Sequence, residues 1–205
     1  MKKDTMPAEG NKSAQMKSEM VTPAAGAAND LNGLFADSLR DIYWAENALL
    51  KAIPKMMANA TAPNLASALK DHLMVTRNQV TRLEKVFSLL GQKAEGKKCE
   101  AMAGLIREGD EILEETQPGP VRDAGIIAAS QKIEHYEIAT YGTLVAFAKA
   151  LGENDAAMLL TQTLAEEKES DMLLSDIALN ATNMTASNNE TAGKEASRGK
   201  VKMQR

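Results

Sequence analysis

Six side chains able to hold a metal ion recur at helical spacing along this sequence. Glu134 and Glu137 lie three residues apart, and Glu167 and Asp171 lie four apart. Each pair can therefore share one face of a helix. Glu46 offers a fifth carboxylate, and His72 an imidazole followed at the same spacing by Thr76 and Gln79. Each of these residues interrupts an otherwise apolar stripe. An ionised carboxylate on a core-facing stripe is costly unless it is paired or coordinates a cation. Oxygen ligands with one imidazole suit iron or manganese and tolerate zinc. Several inward carboxylates could bridge a pair of divalent ions. Such a centre can take up O2 or peroxide if one coordination position stays open.

The stripes define the elements that must bring these residues together. The first runs Phe35, Leu39, Ile42, Glu46, Leu49, Ile53, Met56. The second runs Leu65, Leu69, His72, Thr76, Gln79, Leu83, Val86, Leu90. The third runs Ile127, Ser130, Glu134, Glu137, Tyr141, Leu144, Ala148, Leu151, and the fourth Leu160, Leu164, Glu167, Asp171, Leu174, Ala178. Steps of three and four residues place each set on one helix face. A single Glu in such a stripe is ordinarily a boundary residue whose charge reaches solvent. Four interruptions at similar depth instead point to one shared polar site in a four-helix bundle.

Punctuation residues set the expected boundaries. Asn29 or Asp30 can cap a helix over 31–60, within which Pro54 predicts a kink or a break in hydrogen bonding. Pro63 suits the first turn of a second helix that Gly91 closes. A shorter helix over 97–116 is stopped by Gln117-Pro118-Gly119-Pro120. The third stripe covers 121–151, ends at Gly152, and leaves Asn154 or Asp155 to cap the fourth, which fades near Leu179. The second and third stripes are thus separated by a long crossover containing its own helix, while the other connections are short. A long crossover lets two helices run the same way, which is the ferritin-like ordering. The expectation is an all-α, ferritin-like four-helix bundle over residues 30–179.

Composition agrees with this. Aromatic residues make up 3% of the chain against 44% hydrophobic in all, which favours helices over sheets. The net charge of −4 is uneven: residues 1–29, read as a flexible arm, and 180–205, read as a disordered tail, are both net basic. The folded centre is therefore acidic, which disfavours nucleic acid as its main partner. Only weak contacts through the basic C-terminal tail are expected. One cysteine, Cys99, allows no intrachain disulfide and sits at a helix start beside Lys97 and Lys98, where its thiol pKa would be lowered; packing at the helix end is the plainer reading. The polar N-terminus offers no apolar signal run and no continuous apolar stretch is long enough to span a bilayer, so a cytoplasmic location and no membrane partner are expected. Gly-rich phosphate loops, Ser-His-Asp sets and paired cysteines of zinc type are absent from the sequence.

Several segments carry a family resemblance: Asp41-Ile42-Tyr43-Trp44-Ala45-Glu46, His72 with Thr76 and Gln79, Lys98 through Met102, Val121 through Ala124, the run Gln131 through Ala139, and Glu166-Glu167-Lys168. The chain resembles the YciF-like family of bacterial stress-associated proteins in the ferritin-like superfamily, over residues 31–180. The resemblance implies a dimeric all-α bundle with a rubrerythrin-like core. It matches Glu46 to the single Glu of the first helix, Glu134 and Glu137 to the paired Glu of the third, and Glu167 to the Glu of the fourth. The superfamily's Glu-x-x-His pairs are missing. Thr76 and Gln79 stand where Glu and His would be, and Glu167 is followed by Ser170 and Asp171. His72, one turn away, is the candidate substitute.

The expected function is a stress-associated protein holding one or two Fe or Mn ions among Glu46, His72, Glu134, Glu137, Glu167 and Asp171. A weak O2- or peroxide-linked oxidoreductase is its enzymatic form. The alternative is a non-enzymatic scaffold or oligomerisation module whose polar core fixes helix register. Around this site, His135 is expected in a local hydrogen bond or interface contact, Tyr141 near a carboxylate or satisfied locally, Tyr43 and Trp44 in packing, and Asp41 in an ion pair with Arg40, Arg82 or Arg122.

Overall fold

The structure is a computed structural model and describes residues 21–179. The first twenty residues of the arm and the basic tail from residue 180 lie outside the described residues. Five helices follow one another: α1 (Leu31–Asn59), α2 (Pro63–Leu89), α3 (Glu100–Glu115), α4 (Pro120–Ala150) and α5 (Asn154–Ile177). No strand occurs among the described residues, and no helix among them is long and apolar enough to cross a membrane.

The helix ends obey local chemistry. Asp30 caps α1, its carboxylate accepting from the Gly33 N–H at 2.7 Å. Gly91 and Gly152 take positive φ, +65° and +78°, after α2 and α4. At each, two reversed bonds satisfy the last carbonyls: Gln92 N–H to Phe87 O with Gly91 N–H to Ser88 O, and Glu153 N–H to Ala148 O with Gly152 N–H to Lys149 O. Pro63 opens α2 at its first turn as expected. Pro54 lies inside α1 without ending it. Helix α3 starts three residues later than the spacing suggests, because the Lys97 N–H is held by the Arg40 carbonyl at 3.0 Å, which pins that stretch as a strap along α1. No side chain caps α5; the turn at Gly152 feeds directly into it.

Four helices form a ring in the order α1, α2, α5, α4, and α3 lies over the seam between α1 and α4. Cross-helix pairs fix the directions. Asp41 meets Tyr136 and Met56 meets Ser130, so α1 and α4 are antiparallel. His72 meets Ser170 and Arg82 meets Thr163, so α2 and α5 are antiparallel. The diagonal helices α2 and α4 run the same way, as the long crossover requires. Asp123, buried near the start of α4, accepts from the Thr61 N–H, the Thr61 hydroxyl and the Ala62 N–H, and so locks the α1–α2 turn to α4. At Gly125 an added Cβ would stand 2.5 Å from Ile112, so the glycine lets α3 lie close on α4.

Candidate metal centre

Each long helix delivers acidic or imidazole groups to the middle of the core. Glu46, Glu134, Glu137 and Glu167 are all buried, at 0–2% exposure, among Leu, Ile and Ala side chains from the same stripes. One donor atom each from His72, Glu134, Glu137 and Glu167 lies within 4.8 Å of the others. Ions of the iron, manganese and zinc type hold oxygen and nitrogen ligands at about 2.0–2.2 Å, so two ligands of one ion stand at most about 4.4 Å apart. Only a trans pair could stay that far apart on one ion; adjacent ligands stand closer, so the four side chains would draw inward to surround a single ion. His72 Nε2 lies 3.5 Å from Glu134 Oε1. Its Nδ1 lies 3.1 Å from the Ser170 hydroxyl. With the ring proton on Nδ1, donated to Ser170, the Nε2 lone pair points toward the carboxylates.

The carboxylates lack partners of their own. Both oxygens of Glu137 and one oxygen each of Glu46, Glu134 and Glu167 are buried with no hydrogen bond. Burial pushes the pKa of Glu46, Glu137 and Glu167 well above the usual carboxylate range, and their mutual repulsion adds to this. Burial raises Glu134 to about 7, with neighbouring negative charge adding to it. Burial lowers His72 to about 4, so its imidazole is neutral at ordinary pH and free to act as a ligand. Such a set must either hold protons or accept a cation. A ring of orphaned oxygens with one neutral imidazole fits a divalent ion on its own donor chemistry.

The far side of the site is built differently. Tyr141 donates to Glu46 Oε1 at 2.5 Å. The Gln79 amide donates to Glu167 and, at 3.2 Å, to Glu166. Arg82, itself buried, clamps Glu166 with two bonds of 2.8 Å and reaches the Thr163 hydroxyl at 2.7 Å. Here protein donors reach two of the carboxylates, and the Arg82 charge, paired with Glu166, favours the ionised form of Glu46. The site is thus lopsided: protein donors reach one oxygen each of Glu46 and Glu167 on the Gln79 side, while the other oxygen of each and Gln79 Oε1 stay unpartnered.

Five of the six residues expected at the centre are together. The sixth, Asp171, is displaced to the edge, where its Oδ1 lies 3.3 Å from His135 Nε2. It follows Glu167 by four residues, but α5 carries it toward the outer flank of α4. His135 thus lies beside Asp171 without the local hydrogen bond expected of it, and Asp171 Oδ1 is buried and unpartnered. Tyr141 serves the carboxylate rather than a neighbour of its own. Asp41 makes no ion pair with Arg40, Arg82 or Arg122; it accepts from the Tyr136 hydroxyl at 2.8 Å, since Arg82 faces α5 and Arg122 caps α3. Cys99 is buried at the N-cap of α3, 3.1 Å from Tyr136, and burial raises its thiol pKa instead of lowering it. Tyr43 packs edge-on against Phe87 and Trp44 covers Gly96. The Arg82–Glu166–Thr163 bridge and the Asp123 lock escaped the sequence reading; the adjacent pair Glu166-Glu167 was its one visible trace.

Comparison with known proteins gives the same fold. Residues 30–187 match the family described as Domain of unknown function (DUF892). The chain is 43% identical over 159 residues to Protein YciF of Escherichia coli strain K12, covering 77% of this chain and 96% of that protein. The crystal structure of the E. coli stress protein YciF aligns with a TM-score of 0.73 at 42% identity, over 76% of this chain and 99% of that one. YcfI of Rhodopseudomonas palustris, provisionally described as a structural protein, aligns with a TM-score of 0.73 at 44% identity, over 76% and 99%. The family match runs from the first helix through the last, and the chain therefore belongs to the YciF-like, DUF892 family that its motifs resemble.

Proposed function

We propose that this stress-protein relative binds one divalent transition-metal ion, Fe or Mn, in the middle of its bundle, through His72, Glu134, Glu137 and Glu167. The observation that carries the reading is the set of buried carboxylate oxygens with no hydrogen-bond partner, gathered round a neutral imidazole. Glu46 closes the site from α1 and is held in place by Tyr141. Gln79 orients Glu167, and Ser170 orients His72. The hydrophobic shell excludes water, which strengthens every charge interaction inside it. An ion with a free coordination position supplies Lewis-acid and O2- or peroxide-linked redox chemistry. The same reading carries a homodimer and a cytoplasmic setting, which light scattering and cell fractionation measure.

A second reading is favoured by one observation. Tyr141–Glu46 joins α4 to α1, and Arg82, Gln79, Glu166 and Glu167 join α2 to α5, with no ion needed. A scaffold with a register-fixing polar network would have the same bonds. Metal analysis of protein purified without chelators separates the two. The metal reading expects about one Fe, Mn or Zn per chain. It also expects added Mn(II) to stabilise the protein by about 2.7 kcal/mol at a hundredfold excess over Kd. Both should vanish in Glu134→Ala. Wild-type protein with no stoichiometric metal and no metal-dependent melting shift would establish the scaffold instead.

A further inference from the structure

A groove of about 250 Å³ runs along the outer seam between α2 and α5. Ala68 and Val75 of α2 and Leu173 of α5 make its apolar lining, and Asp71, Glu166 and Glu169 stand along it. Glu166 is neutralised by Arg82. Asp71 and Glu169 are exposed, and neither has an ion-pair partner among the described residues. Apolar surface continues along the seam: Met74, three residues on from Asp71, is 49% exposed, and Leu173 is 47% exposed. Single exposed apolar side chains are ordinary. Here they share a concave seam with two uncompensated carboxylates, so the surface suits a partner that is both basic and apolar.

The chain carries a segment of that chemistry. Residues 194–205 hold five Lys or Arg against one Glu. Within them, Lys200-Val201-Lys202-Met203 alternates cations with apolar side chains, which an extended segment presents on opposite sides. The reach is short. Ser170, in the groove, lies nine residues before Leu179, about 14 Å back along α5 at the helical rise. Residues 180–193 extend to about 46 Å at most, ample to turn and cover that distance. Other grooves suit the segment less. The one between α1 and α3 is lined by Lys51 and Lys55, and in the one between α1 and α4 Asp37 is already paired with Lys97.

We propose that the basic segment 194–205 folds back along α5 and docks in the α2–α5 groove of its own chain. Lys200 and Lys202 then stand beside Asp71 and Glu169, and Val201 and Met203 lie against Val75 and Leu173. Tethering favours even a weak contact, because a flexible linker holds the segment at an effective concentration of about a millimolar. Docked there, the segment covers His72 and Ser170, which also line the groove. The docking needs no ion, so it stands or falls apart from the metal reading. The test places a nitroxide on Met203→Cys in the full-length, metal-free protein and reads paramagnetic broadening of backbone amides. Cys99 is 1% exposed, and wild-type protein taken through the same labelling reports any reaction there. Amides 71–75 and 169–173 should broaden several-fold more than amides 111–115 of α3. The effect should fade in about 1 M salt, where charges are screened beyond about 3 Å. Asp71→Lys combined with Glu169→Lys, both at exposed sites, should abolish it. Lys200→Glu combined with Lys202→Glu should do the same while leaving every described contact in place. Uniform weak broadening, a maximum at the exposed acids Glu111, Glu114 and Glu115, or broadening that survives the charge reversals would overturn the proposal. So would broadening seen only between a nitroxide-labelled chain and a separate isotope-labelled one, which would seat a second copy on the groove.

Discussion

Replacing Glu137 by Met should make the metal-free protein more stable and the metal-loaded protein less so. Glu137 is 1% exposed, and neither carboxylate oxygen has a hydrogen-bond partner. Its charge is opposed first by burial, then by Glu167, Glu46 and Glu134. A buried polar atom without a partner costs about 1–3 kcal/mol, and exchanging buried ionic groups for apolar ones of similar volume commonly stabilises by about 1–4 kcal/mol. Met is unbranched and near the volume of Glu, so little repacking is needed. A gain of roughly 2–3 kcal/mol is expected, and at about 2–4 °C per kcal/mol for a chain of this size the melting temperature should rise by roughly 5–10 °C. The assay is calorimetric melting with EDTA and again with saturating Mn(II), beside Glu111→Met as an exposed control expected to stay within about 0.5 kcal/mol. The Mn(II)-induced rise should shrink sharply in Glu137→Met and persist in the control. A metal-free variant that melts lower than wild type, while keeping the full Mn(II) response, would refute the reasoning. Glu137 would then be a satisfied structural group and no ligand.

Further expectations follow from individual contacts. Glu134 is raised from 4.5 to about 7, so the folded state keeps a proton that the unfolded chain has released; this stability is complete below pH 4.5 and is lost as pH rises through 7. His72 works the other way, costing stability as pH falls from 6.5 toward 4. Above 6.5 only the carboxylates remain in play, so the metal-free melting temperature should fall between pH 6.5 and about 8, and saturating Mn(II) should flatten that slope in the same calorimeter. Asp123→Ala removes three hydrogen bonds to a buried carboxylate and should cost roughly 3 kcal/mol in urea unfolding without abolishing metal binding. Gly125→Ala should destabilise, because its Cβ would stand 2.5 Å from Ile112. Gly142→Ala, with nothing within 4 Å, should stabilise by about 0.5–1 kcal/mol in the same measurement.

The fold was legible because its signals are local. Stripes at steps of three and four, a proline at a first turn and glycines after α2 and α4 are all dictated by helix geometry. Glu46, Glu134, Glu137 and Glu167 could be placed in the core because each breaks its stripe near the middle, and with His72, Thr76 and Gln79 on the second stripe all four stripes are broken at similar depth. Asp171 sits at the edge because spacing gives a face only to within a fraction of a turn; one turn past Glu167 it lies beside His135 of α4, while its charge still acts on Glu134. Arg82 reads from the sequence only as a partner of Asp41, for a related reason. It sits beside Leu83 on the edge of the α2 stripe, and nothing local reveals that Glu166 stands opposite on α5. Cys99 shows the limit of reading charge from neighbours: Lys97 and Lys98 point to solvent, where they pair with Asp37 and Glu100, and burial is the largest influence on the thiol.

The central claim is that the buried carboxylates gather round an ion. Crystals of the full-length protein grown with Mn(II), with data collected at the manganese edge, test it most directly. The account predicts one strong anomalous peak per chain within coordination distance of His72 Nε2 and the carboxylates of Glu134, Glu137 and Glu167. Peaks confined to surface acids such as Glu111 and Glu114, with the interior of the bundle empty, would contradict it.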